Sequence, residues 1–425
     1  MSAKTAALAT TPTKGSSKRF TSARFVALLA VLGPGLLAGL SDDDPAGITT
    51  YSVLGTNYGY QMIWVLSIST VALIMFQQLG ARIGVVTGQG LAGLIRQKYG
   101  ARAATLAIIA LLGANVGTTT AEFAGIAAGF ELFGVSKYIS VPIAAALVSF
   151  LVLRGGFRAI ERILLVLAAV FVCYIAAAFL AQPDWAEAAK GALIPSMPMD
   201  KDAWLIATAT LGTTLAPWGL SFIQSYVVDK RLTIKDMPYL RVDVWIGALL
   251  TGIIGFFVVV TCAATLNKSG ATIESAADAA AALQPLAGPA ATTLFAVGLI
   301  GAALLAASIL PLSTAYAVTD LTGQRAALDD TVKEAPLFYA TFGFVTLVAL
   351  TLVLIPGAPL VPILVLTQVL NAILLLPLLI FMYGISRDRT LMGDYSAQRG
   401  MSVSYAVAIA VIAACVLALG YFSFF

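Results

Sequence analysis

"FVALLAVLGPGLLAGLSDDDPAGITTYSVLG", residues 25–55, is apolar enough to cross a bilayer, yet it carries Asp42, Asp43 and Asp44 side by side near its centre. A carboxylate at that depth costs at least about 2.5–3.5 kcal/mol on the insertion scale unless it meets water, a cation or a gap in the helix. Pro45 opens such a gap, because it has no amide proton to continue the ladder, and Gly47 loosens the turn that follows. Freed backbone groups are tolerated at membrane depth only where they line a cavity or hold a ligand. The stretch therefore reads as a helix interrupted for a guest.

A second interruption lies at "TLGTTLAPWGLSFIQSYVV", residues 210–228. Both breaks have the form x-P-x-G, "DPAG" at 44–47 and "APWG" at 216–219, and they stand 172 positions apart. Interrupted helices at matching places in two halves of a chain point to a transporter's binding site near the bilayer midplane. Two repeats are expected, 25–181 and 203–384, each of five crossings. An odd number of crossings inverts the second repeat relative to the first.

The rest of the chain agrees with a membrane protein. Of 425 residues, 60% are hydrophobic and 11% charged, against about 25% charged in soluble domains, and the mean hydropathy is +0.93. About eleven apolar helices are expected, near 25–55, 61–79, 104–134, 138–153, 160–181, 203–228, 242–266, 286–316, 336–355, 359–384 and 402–424. The short alternating strands of a membrane barrel are missing from the pattern. The fold class is thus an all-α integral membrane protein: two inverted five-helix halves and an additional helix at 402–424.

Residues 1–24 read as a disordered cytoplasmic tail rather than a cleaved signal peptide. With that tail inside, 21 of the 25 Lys and Arg residues fall on the cytoplasmic side, and only Lys137, Lys190, Lys201 and Lys268 fall outside, as the positive-inside rule requires. Eleven crossings put the C-terminus outside. Because the basic residues sit at segment ends, nothing suggests a nucleic-acid partner, and no obligatory protein partner is evident beyond the lipid bilayer. Cys173, Cys262 and Cys415 stand singly in apolar runs, as small core residues rather than a disulfide set or metal site. Histidine is absent, which removes the commonest transition-metal ligand and the usual proton shuttle near neutral pH. No phosphate-binding loop and no nucleophile–base pair is present, so neither ATP-driven transport nor an enzyme is indicated.

At the two breaks the sequence resembles the Nramp (natural resistance-associated macrophage protein) family of divalent-metal transporters, and the resemblance runs over nearly the whole chain. The family's first-helix Asp-Pro-Gly-Asn falls on Asp44, Pro45, Ala46 and Gly47, and its sixth-helix Met-Pro-His-Asn on Ala216, Pro217, Trp218 and Gly219. "ARIGVVTGQGLAGLIRQKYG", "TTTAEF" and "LVLTQVL" match as well. The resemblance implies a LeuT-type fold. The departures resemble the family's magnesium-transporter branch: Ala216 replaces the metal-contacting thioether, Gly47 an amide ligand, and Trp218 and Ile223 the two histidines. Thr119 stands where a third-helix aspartate associated with proton movement is usual, Glu122 remains, and the ninth span lacks the proton-route arginine. A bacterial plasma membrane is the location this implies.

The residues themselves offer only oxygen around the breaks: the three aspartates, free carbonyls, Thr213 and Thr214, and Gln368 in the tenth span. Oxygen-only sites suit Mg²⁺, Ca²⁺ and Mn²⁺, and Mg²⁺ keeps several waters while taking one or two carboxylates. Asp44 is the expected ligand, direct or through water, with Asp43, Gly47, Ala216 and Gln368 around the ion. Asp42 and Asp43 have a second reading as vestibule acids that attract cations. Gln368 and Asn371 have one as an interhelical hydrogen bond, Glu122 as a structural donor, and Trp218 as packing rather than a gate. Thr119, Thr213, Thr214 and Gly219 complete the expected surroundings. With no cofactor implied and the metal as cargo, the expectation is uncoupled, alternating-access uptake of Mg²⁺, or Mn²⁺. A proton-coupled Mn²⁺/Fe²⁺ symporter is the alternative, and a sodium-coupled small-solute symporter a more distant one.

Overall fold

Proline fixes where two of the apolar runs stop being one helix. The computed structural model describes residues 34–153, 172–324 and 330–424. α1 (Pro34–Asp42) and α2 (Pro45–Tyr58) share the first expected span and part at the aspartates. Next come α3 (Ile63–Thr87), the short α4 (Leu91–Tyr99), α5 (Ala101–Glu131), α6 (Lys137–Leu153), α7 (Cys173–Leu180) and α8 (Trp185–Leu193). The sixth expected span is again two helices, α9 (Lys201–Thr214) and α10 (Pro217–Asp229). α11 (Met237–Cys262) continues into a π-helical turn, Ala263–Asn267, and α12 (Ala291–Thr322), α13 (Pro336–Val353), α14 (Leu360–Ser386) and α15 (Arg399–Phe424) follow.

Among the described residues, eight helical segments, the broken α9–α10 counted as one, are long and apolar enough to cross a membrane. They account for the second, third and sixth to eleventh expected spans. The first is divided at its break, and the fourth is the 17-residue α6. The fifth falls largely on 154–171, which lies outside the described residues, as do the expected tail at 1–24 and residues 25–33. The connection at 182–202 contains a helix that apolar periodicity does not reveal. This is α8, started by Asp184, whose carboxylate accepts from the amides of Ala186 and Glu187 at 3.0 Å each.

Cross-links between loops sort the helix ends onto two edges. On one edge, Arg96 at the end of α4 donates to the Leu321 carbonyl of α12. There too Gln224 of α10 donates to Gln89, and Lys98 pairs with Asp388 beyond α14. On the other, Asn267 after α11 donates to the Thr56 carbonyl of α2, and Lys137 at the start of α6 donates to the carbonyls of Val353, the last residue of α13, and of Ile355 just beyond it. From their breaks, α2 and α10 therefore run to opposite edges.

Small residues let the broken helices sit deep in the bundle. α1 and α2 lie along α11, α9 lies against α14, and α5 packs on α12 and α14. A methyl group on Gly212 of α9 would overlap the Gln368 carbonyl of α14, and one on Gly125 of α5 would overlap the Pro45 ring. Close approach of this kind is how membrane helices gain packing without a hydrophobic driving force between them.

Candidate metal centre at the two helix breaks

The two prolines free carbonyls at equivalent positions. In an α-helix the amide of residue i+4 donates to the carbonyl of residue i. Pro45 cannot donate to Ser41, and Pro217 cannot donate to Thr213. Each proline opens the next helix, with Asp44 (φ −78°, ψ 172°) and Ala216 (φ −60°, ψ 134°) in extended backbone before it. Asp44 caps α2, accepting from the Gly47 amide at 2.6 Å. Ala216 offers no side-chain cap.

The acids are buried. Asp42, Asp43 and Asp44 are 2–3% exposed, and Glu122 on α5 is fully enclosed. A methyl on Gly219, in the first turn of α10, would stand 3.7 Å from Asp42 Oδ1, so the Asp42 carboxylate sits at the positive end of that helix. Glu122 reaches the first break on α5, whose Gly125 lies against the Pro45 ring. Both carboxylate oxygens of Asp42, and both of Asp43, are buried without a hydrogen-bond partner. Glu122's oxygens receive no N–H or other hydroxyl donor. Unanswered carboxylate oxygens in a low-dielectric interior are costly unless a cation or a proton joins them.

Gly47 is the point on which oxygens from both breaks converge. A Cβ there would lie 2.7 Å from the Asp42 carbonyl, 3.2 Å from Thr213 Oγ1 and 3.3 Å from Asp44 Oδ1. Ala216, the residue before α10 at the second break, is 4% exposed and brings no side-chain heteroatom. Among the described residues, no three or more His, Cys, Asp or Glu side chains are arranged to hold a metal between them. The donors gathered at the breaks are thus one or two carboxylates with hydroxyl and carbonyl oxygens, rather than a carboxylate cage.

The remaining expected residues divide. Thr214 donates to the Thr210 carbonyl at 2.8 Å, so Tyr51 must be the donor in their 2.9 Å contact, and the Thr214 hydroxyl is committed. Thr119 donates to the Asn115 carbonyl at 2.6 Å within α5. Asn371 Nδ2 donates to Thr118 Oγ1 and to Gln368 Oε1, both at 2.9 Å, which ties α14 to α5. That leaves Gln368 Nε2 buried without an acceptor. Turning both amides over preserves these bonds and puts the Gln368 carbonyl oxygen in the unanswered position. Trp218 is enclosed, with its ring 6.3 Å from Phe222 and its carbonyl accepting from Ser313 at 3.1 Å.

Two neighbours escape a reading of the sequence alone, Tyr51 and Thr118. Both carry a signal: Tyr51 follows Gly47 by four residues and Thr118 precedes Glu122 by four, so each shares a helix face with a site residue.

The sequence matches the family model described as natural resistance-associated macrophage protein-like (Nramp) over residues 35–421. The fold superposes on the Eremococcus coleocola manganese transporter, crystallised with an aromatic bis-isothiourea substituted compound. The TM-score is 0.76 at 19% identity, covering 96% of this chain and 87% of that one. Mhp1, a nucleobase-cation-symport-1 family transporter, matches in a closed conformation with a TM-score of 0.57 at 16% identity, covering 91% and 90%. MhsT in complex with L-phenylalanine gives 0.55 at 15%, covering 90% and 98%. At these identities the structures speak for the LeuT-type fold alone, while the family match covers most of the sequence. The chain belongs to the Nramp family of divalent-metal transporters, a family of transporters rather than enzymes, in which the metal is cargo and not a cofactor.

Proposed function

We propose that the protein takes up Mg²⁺, and Mn²⁺ less selectively, as a partly hydrated ion bound where the two helices break, and that it does so without moving protons. The observation carrying this reading is the donor set. Carboxylate, hydroxyl and carbonyl oxygens meet around Gly47, while Ala216 brings no sulfur and histidine is absent from the chain. Hard oxygens without soft ligands favour Mg²⁺, Ca²⁺ and Mn²⁺ over softer metals, and a site too sparse for a full cage suits an ion that keeps its waters. Asp44 is the principal ligand, with Asp43, the Gln368 carbonyl, and space left by Gly47 and Ala216 around the hydrated ion. Asp42 and Glu122 supply field, and Thr213 and the carbonyls of Ser41 and Thr213 line the path.

Transport proceeds by alternating access. The halves 25–181 and 203–384 rock about the breaks, opening the ion first to the outside and then to the cytoplasm, with α15 as an added helix. The N-terminus is cytoplasmic and the C-terminus outside, in a bacterial plasma membrane. A divalent cation gains about 4.6 kcal/mol per 100 mV of inside-negative potential, which supports roughly a thousandfold accumulation.

A second reading, proton-coupled Mn²⁺ or Fe²⁺ symport, is favoured by Glu122, a fourth buried acid that α5 brings to the first break. Carboxyl groups gathered in a dry interior are stabilised either by a proton or by a cation. Indicator-based uptake of Mg²⁺, Ca²⁺ and Mn²⁺ into proteoliposomes tests the metal. Saturable Mg²⁺ entry is expected, whereas Mn²⁺ entry with no Mg²⁺ entry above protein-free vesicles contradicts the magnesium reading.

A further inference from the structure

Arg82 on α3 carries a guanidinium with one edge unanswered. Its Nη1 donates to Met401 Sδ at 2.9 Å, while Nε and Nη2 are buried without an acceptor. Those two atoms form the fork with which arginine grips two oxygens of one anion. Arg82 stands five residues, about 7.5 Å of helix rise, from the end of α3. It lines a cavity of about 240 Å³ between α3, α11 and α15, together with Arg241, Gln78 and Ser404, and with Met75 and Leu240 on the apolar wall. Among the described residues, neither arginine pairs with a carboxylate.

The surroundings select the kind of anion. Only 17% of the apolar window of α15 is buried, so this helix lies at the rim of the bundle, against lipid. Its other flank borders a wider cavity of about 1090 Å³ carrying Arg387, Arg389 and Arg399 against the single acid Asp394. Asp388 beside them is committed to Lys98. The edge is thus basic on both sides of α15. A free inorganic anion would leave the apolar wall unused, whereas a lipid matches both halves of the crevice: phosphate for the arginines and acyl chain for the wall. We propose that this crevice binds an anionic phospholipid, its phosphate held by the Arg82 fork and Arg241 and its chains lying along α15. Such a lipid fastens α3 and α11, which belong to different halves of the bundle, to the peripheral helix, and it does not depend on which metal is carried.

Native mass spectrometry of the full chain, titrated with phosphatidylglycerol, phosphatidylcholine or inorganic phosphate, tests this. The first phosphatidylglycerol is expected to bind at least about tenfold more tightly than the first phosphatidylcholine, and excess inorganic phosphate leaves it in place. Arg82→Gln abolishes the preference, Arg82→Lys keeps part of it, and Arg241→Gln weakens it severalfold. Should Arg82→Gln not fold, the parent's preference and Arg241→Gln decide. Equal binding of the two lipids, release of phosphatidylglycerol by inorganic phosphate, or an unchanged preference in the recovered Gln variants overturns the proposal.

Discussion

Asp44 uses one carboxylate twice: it caps α2 through the Gly47 amide, and it sets charge at the break. Asn keeps the capping oxygen and loses the charge; Ala loses both. Both Asp44→Asn and Asp44→Ala are expected to abolish metal uptake in proteoliposomes, but only Ala should lower thermal stability, by about 1 kcal/mol for the lost cap. Uptake surviving in Asp44→Asn removes Asp44 from the ion. Ala216→Met adds a thioether and fills space a hydrated ion would use. Mg²⁺ uptake is expected to fall about tenfold relative to Mn²⁺ or Cd²⁺, because soft ligands favour softer metals; an unchanged ratio in competition assays contradicts this. The acids and prolines were legible in the sequence because a charge or a missing amide proton inside an apolar run needs no partner to be noticed. The commitments of Thr214 to Tyr51 and of Asn371 to Thr118 were not, since those partners come from other helices and are brought together only by packing.

At the level of elements, the break geometry depends on how closely α9 meets α14. A side chain at Gly212 meets the Gln368 backbone, which cannot turn aside. Gly212→Val is therefore expected to cost about 1–3 kcal/mol through overpacking, read as a lower melting temperature in detergent, with uptake lost alongside; an unchanged melting temperature contradicts that contact. The Lys98–Asp388 pair fastens the end of α4 to the segment after α14, and Lys98 holds the Asp388 carboxyl below the usual carboxylate range. A depressed folded pKa stabilises above the unfolded value of about 3.9, and that contribution is lost as pH falls below it. The pair is partly exposed, so Asp388→Asn should cost no more than about 1 kcal/mol at neutral pH and nothing in high salt; a larger or salt-independent loss contradicts a surface pairing. The long spans were legible because hydropathy accumulates over some twenty residues. α8 was not, because nine amphipathic residues in a connection resemble any polar loop until Asp184 is seen capping them.

Across the whole molecule, basic residues, breaks and loop cross-links describe one arrangement: two edges of unequal charge, with α2 and α10 running from a shared centre to opposite ones. The inverted pairing of the breaks was readable from x-P-x-G and its spacing. That Glu122 joins the first break was not, because only packing brings α5 against the Pro45 ring. That meeting is where the uncoupled and proton-coupled readings divide. Mg²⁺ uptake into proteoliposomes at a clamped inside-negative potential, recorded together with an internal pH dye, separates them most directly. Saturable Mg²⁺ entry with no internal acidification, and no response to an imposed pH gradient, is the predicted result. Proton entry in fixed proportion to the metal contradicts it.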